Sequence, residues 1–101
     1  MNKHTQKLIN ELAVQELMDF LHQNGFSHLK VLVRGQHFVI YSTGPEGDKF
    51  NRIRLSRISS AEYQLGIANH MGRWEATPFT GTLSELMQLL TEQFGFVLED
   101  Y

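Results

Sequence analysis

The sequence predicts an α+β domain with the order helix, five-stranded antiparallel meander, helix (α-β-β-β-β-β-α). Three observations carry the prediction. Two stretches, one near each end, repeat apolar residues at spacings of three and four, as a helix with one buried face does. Between them lies an apolar hairpin followed by three runs that alternate apolar and polar residues, the period of a half-buried strand. Tight turns rich in Gly and Ser separate those runs. A chain of 101 residues is one domain by length, spanning 1–101.

The first helix is expected from Thr5 to Asn24. Ile9, Leu12, Ala13, Leu17, Phe20 and Leu21 share a face, and Val14 and Met18 widen it. Thr5 is the candidate N-cap. Gly25 suits the left-handed position after the last turn, with Phe26 folding back on the helix.

Leu29 to Ser42 reads as a hairpin around Arg34-Gly35-Gln36. Pairing Val33 with His37 sets Val31 opposite Val39 and Leu29 opposite Tyr41. Leu32, Phe38 and Ile40 then make the other face apolar too. A strand apolar on both faces is usually covered on both. Either the helices lie on opposite sides of the sheet, or one face packs on a second subunit. The second option is the working expectation, with the homodimer contact on part of the outer face.

The stretch from Thr43 to Lys49 is a polar turn and lacks the Gly-Lys-Ser/Thr of a phosphate loop. In the meander, Ile53 and Leu55 alternate with Arg52, Arg54 and Ser56, and Tyr63, Leu65 and Ile67 alternate with Gln64, Gly66 and Ala68. A three-residue loop, Ser59-Ser60-Ala61, matches Leu55 with Leu65 and Ile53 with Ile67, keeping apolar residues on one face. A turn at Met71-Gly72 closing His70 against Arg73 places Trp74 and Ala76 on that inner face, Ala76 opposite Ile67. Pro78 ends the last strand or marks it as an edge. Thr82-Leu83-Ser84-Glu85 is a capping box opening a helix to about Phe94, with Gly95 as its stop. The segment from Phe96 to Leu98 is expected as a short strand or a packed tail.

Composition bounds the function. Apolar residues at 42% and charged ones at 20% suit a folded core. A net charge of −2 and a pI near 6.2 oppose general binding to nucleic acid or to a membrane surface. Glu11, Glu16 and Asp19 interrupt the apolar pattern of the first 25 residues, so these do not read as a signal peptide. There is no cysteine, hence no disulfide framework and no thiolate nucleophile. The compartment this implies is the cytoplasm. His4, His22, His28, His37 and His70 show no metal-ligand spacing, and no metal or cofactor is expected. Ser56, Ser59 and Ser60 stand in no nucleophile context, and Asp19, Asp48 and Asp100 sit apart, so an enzyme is not expected.

The candidate site is the polar face of the meander. In the registers above, small Ala68 and Gly66 lie between Arg52 and Arg54 on one side and Glu75 and Thr77 on the other. Arg52, Arg54 and Arg73 would wall a shallow groove, with His70 at one end and Glu75 across from the arginines. Arginines so placed can hold a carboxylate or phosphate through paired N–H bonds. The plain alternative is a solvated face with cross-strand Arg–Glu pairs. Nucleic-acid binding is a lesser reading, since Arg57 points away from Arg52 and Arg54.

His70-Met71-Gly72-Arg73-Trp74-Glu75, with Pro78-Phe79, Gly81 and Leu83 before the C-terminal helix, resembles a group of small bacterial proteins of no assigned function. They share an H-x-G-R-W-E…P-F-x-G-x-L string. The likeness covers about the last third of the chain and implies a bacterial origin without an activity. The functional expectation is therefore a non-catalytic protein–protein interaction or regulatory domain, acting as a homodimer with a further protein partner. An anionic small molecule or nucleotide on the Arg52/Arg54/Arg73 face is the alternative.

Overall fold

The computed structural model describes residues 3–99; Asp100 lies outside them. The order is the expected one: α1 (Lys3–Gln23), β1 (Lys30–Arg34), β2 (His37–Thr43), β3 (Lys49–Arg57), β4 (Tyr63–Ala68), β5 (Trp74–Gly81) and α2 (Leu83–Gln93), followed by a 3-10 turn at Gly95–Val97. The strands form one antiparallel sheet in the order β1-β2-β3-β4-β5. No helix among the described residues is long and apolar enough to cross a membrane.

Both helices pack on the same sheet face. Ala13, Leu17 and Leu21 of α1 and Leu83, Leu86, Met87 and Leu90 of α2 join Phe38, Ile40, Ile53, Leu55, Tyr63 and Leu65 in one buried cluster. The other face has no covering element among the described residues. Of the two arrangements the hairpin allowed, helices on opposite sides is therefore excluded. Leu12 was expected in the buried stripe but is 63% exposed, at the margin of the helix face.

The helix ends follow capping chemistry with two exceptions. At the end of α1, Phe26 N–H donates to Leu21 O (2.8 Å) and Gly25 N–H to His22 O (3.3 Å), the paired bonds of a Schellman end, and Gly25 takes φ +85°. At the start of α2, Glu85 N–H donates to Thr82 Oγ1 (3.1 Å) while Thr82 N–H donates to Glu85 Oε1 (2.9 Å). The exceptions are Thr5, which lies inside α1 rather than capping it, and Gly95, which lacks the positive φ of Gly25. Gly95 instead begins the 3-10 turn that carries Leu98 into the core with no exposed surface.

The hydrogen bonds from Thr82 pull the Glu85 carboxyl below its ordinary pKa of 4.5. A depressed acid stabilises the fold above its unfolded pKa and loses that contribution as pH falls through the folded one. Stability should therefore drop below about pH 4.5, and Thr82→Ala, which removes the hydroxyl but keeps the backbone N–H that contributes most, should lessen that drop without abolishing it. The same variant should cost about 1 kcal/mol at neutral pH. Urea titrations at pH 7 and pH 3.5 check both.

Registers differ from expectation at two of the four strand pairs. β3–β4 is as expected, with Ile53↔Ile67 and Leu55↔Leu65. In β1–β2 the pairs are Arg34↔His37, Val33↔Phe38, Leu32↔Val39 and Val31↔Ile40, one residue off. The loop is the two-residue Gly35-Gln36, with Gly35 at φ +58°, a turn whose twist matches the strands. In β4–β5 the pairs are Ala68↔Trp74, Ile67↔Glu75 and Gly66↔Ala76, again one residue off. Here Asn69 sets the turn: its Oδ1 accepts from Met71 N–H (2.9 Å) and Arg73 N–H (3.0 Å), and Asn69 N–H donates to Arg73 O. Such a slip carries a whole strand to the other face. Trp74 and Ala76 therefore face outward and Glu75 inward.

Candidate interaction face

The uncovered sheet face consists of three cross-strand rows. A central row runs Leu32, Val39, Arg54, Gly66 and Ala76 across all five strands. On one side is a polar row of Arg34, His37, Ser56, Gln64 and Thr80. On the other side stand Tyr41 toward the β1 edge and Ala68 and Trp74 toward the β5 edge. Val39 is only 4% exposed although no element covers it, because its cross-strand neighbours close around it.

Arg54 organises the centre. Gly66, its partner on β4, offers no side chain, so the guanidinium reaches across and stacks on Trp74, 5.0 Å from the ring centroid. Its Nε is buried without a hydrogen-bond partner. On the neighbouring row, His37 Nδ1 lies 2.7 Å from Ser56 Oγ. Burial, and secondarily the Arg54 charge, lower the His37 pKa from 6.5, which favours the neutral imidazole at pH 7. At the far corner Lys49 Nζ sits 5.5 Å above the Tyr41 ring.

The residues singled out from the sequence do not assemble into the expected groove. Arg54 alone stands on the uncovered face. Arg52 is 4% exposed and turned into the protein. It lies where the β2–β3 register shifts, since Ile40 pairs with Ile53 but Tyr41 with Asn51, and a bulge of this kind re-aims a side chain. Its guanidinium donates to Ser42 Oγ (3.1 and 2.9 Å), Val97 O (3.0 Å) and Glu99 O (2.9 Å). His70 and Arg73 are exposed at the β4–β5 turn. Glu75 accepts from Asn69 Nδ2 at 2.9 Å and lies on the helix side of the sheet, opposite Ile67. Three guanidiniums thus occupy three environments, and the geometry builds no anion groove from them.

Sequence reasoning missed Leu32, Val39, Tyr41 and Trp74 as members of one uncovered sheet face. Asn69 two residues before Met71-Gly72 was the available signal, because an Asn side chain commonly builds its own turn.

Architecture and face together define a two-layer α+β domain with an open aromatic sheet face. Comparison with protein-family models, curated proteins and solved structures returns no match.

Proposed function

We propose that this is a non-catalytic protein–protein interaction domain, regulatory in role, that forms a homodimer through its open sheet face. One observation carries the reading: both helices lie on one side of the sheet, so Leu32, Val39, Tyr41 and Trp74 face outward around Arg54. Leu32, Tyr41 and Trp74 are half-buried there and Val39 is buried among its neighbours, and an apolar and aromatic face with a central Arg is the composition of an interface centre. Self-association through this face would stack two sheets and remove Tyr41 and Trp74 of both subunits from water. The cysteine-free composition and the H-x-G-R-W-E string support a bacterial cytoplasmic setting for it.

Light scattering should return a mass near twice 11.7 kDa. Trp74→Glu should give the monomer with its circular dichroism unchanged, and Trp74→Ala should weaken the dimer by at least about 2 kcal/mol, some thirtyfold. A wild-type chain that stays monomeric at high concentration would reject the homodimer.

A further inference from the structure

We infer that the free edge of β1 is a docking site for an extended peptide segment in which acidic residues flank two apolar ones. The site lies at the β1 margin of the open face, four strands from Trp74, and does not rest on the homodimer reading.

The backbone argument comes first. β1 has a neighbour on one side only. The two-residue turn makes Arg34 and His37 the closing hydrogen-bonded pair, and pairs alternate from there. Lys30, Leu32 and Arg34 therefore bond to β2, while Val31 and Val33 point their N–H and C=O groups out of the sheet. Arg57 N–H, which donates to Gln36 O at 2.9 Å, confirms the alternation from the β3 side. The opposite edge is blunted: between Gln64 and Gly66 the register shifts by two residues, leaving Thr77, Pro78 and Phe79 opposite Leu65. Among the described residues, only the β1 edge presents a regular ladder.

Side chains give the ladder a reading frame. Beside the edge, a cleft of about 510 Å³ runs between Val33 and the α1 stripe that includes Asn10 and Val14. Val33 is 39% exposed into it. A strand added to β1 would put the residues opposite Val31 and Val33 on the helix side, and the cleft lies beside the one opposite Val33. Those opposite Lys30 and Arg34 would lie on the outer side. Both cations are exposed, and no described residue pairs with either. Opposite charges across a strand pair are favourable and like charges unfavourable. The edge thus selects acidic–apolar–any–apolar–acidic. A second copy paired two-fold about Leu32 is disfavoured as well, because that register would set each Lys30 against Arg34 of the second copy.

The test uses two fluorescent peptides, Ser-Glu-Val-Thr-Val-Glu-Ser and its counterpart with Lys in place of both Glu, titrated with the full chain. The acidic peptide should bind about tenfold more tightly. The double variant Lys30→Glu/Arg34→Glu should invert the order. Val33→Pro should abolish binding while leaving the melting temperature near wild type, because the N–H it removes serves no bond within the sheet. Trp74→Glu should leave peptide affinity unchanged, which separates this site from the Trp74 end of the open face. Equal binding of the two peptides, no binding of either, or binding that survives Val33→Pro overturns the proposal. Should Val33→Pro fail to fold, the charge-reversed variant decides alone, and an unreversed preference overturns the proposal.

Discussion

Replacing Arg52 with alanine is expected to destabilise the fold by about 3 kcal/mol, since bonds from a buried charged donor are each worth about 1.5–3 kcal/mol before relaxation. For a chain of this size that lowers the melting temperature by roughly 10–20 °C. The side chain makes two bonds to Ser42 Oγ and one each to the carbonyls of Val97 and Glu99. His28 Nε2 donates to the intervening carbonyl of Leu98 at 2.8 Å. Three successive carbonyls of the C-terminal turn are therefore held, two by Arg52 of β3 and one by His28 of the α1–β1 loop, and that turn seats Leu98 in the core. Lysine should not rescue the loss: one ammonium cannot reach Ser42 and two carbonyls at once as a planar guanidinium does. Hydrogen exchange supplies the local signature. The amides of Val97 and Leu98, which donate to Phe94 O and Gly95 O, should lose protection before the sheet does. A loss below about 1 kcal/mol with those amides still protected would show that the tail is held by Leu98 alone.

Arg52 also shows where the sequence stops being legible. Alternation places it beside Arg54 on the outer face, and alternation holds until a bulge intervenes. Nothing in the string Asn51-Arg52-Ile53 announces the bulge, and the carbonyl that the turned side chain meets lies in a tail 45 residues away. Elements governed by local chemistry were readable: the Gly25 helix end and the Thr82–Glu85 box each follow from neighbours in sequence. The β3–β4 register was readable because both strands have one apolar and one polar face, so only one pairing matches them. β1 and β2 are apolar on both faces, so face matching was degenerate and turn chemistry at Gly35 decided. For β5 the matching favoured the wrong answer, since it drew Trp74 inward. The same slip took Glu75 off the expected groove and brought Trp74 onto the open face, while the β3 bulge removed Arg52, so the candidate site was less legible than the fold.

Phe38→Ala should be the most damaging of these substitutions, at about 3–5 kcal/mol. Phe38 is 1% exposed, pairs across strands with Val33 and Leu55, and has its ring 5.8 Å from that of Tyr63. Strands on both sides and helices above hold the surroundings in place, so the vacated volume cannot collapse. Val39, its neighbour in sequence, is nearly as buried at 4% but belongs to the opposite face. Its cover is the side chains of flanking strands, which can resettle. Val39→Ala should therefore cost only about 1 kcal/mol in a monomer. In a homodimer joined through the open face, Val39 lies under the second subunit, and its truncation acts on the association as well. Only the folded protein associates, so the melting temperature of the wild type should rise with protein concentration. The Val39→Ala deficit should grow with concentration, while the Phe38→Ala deficit stays nearly constant. Calorimetric melts at two well-separated concentrations distinguish the faces. A Val39→Ala deficit independent of concentration would place the dimer contact elsewhere or remove it.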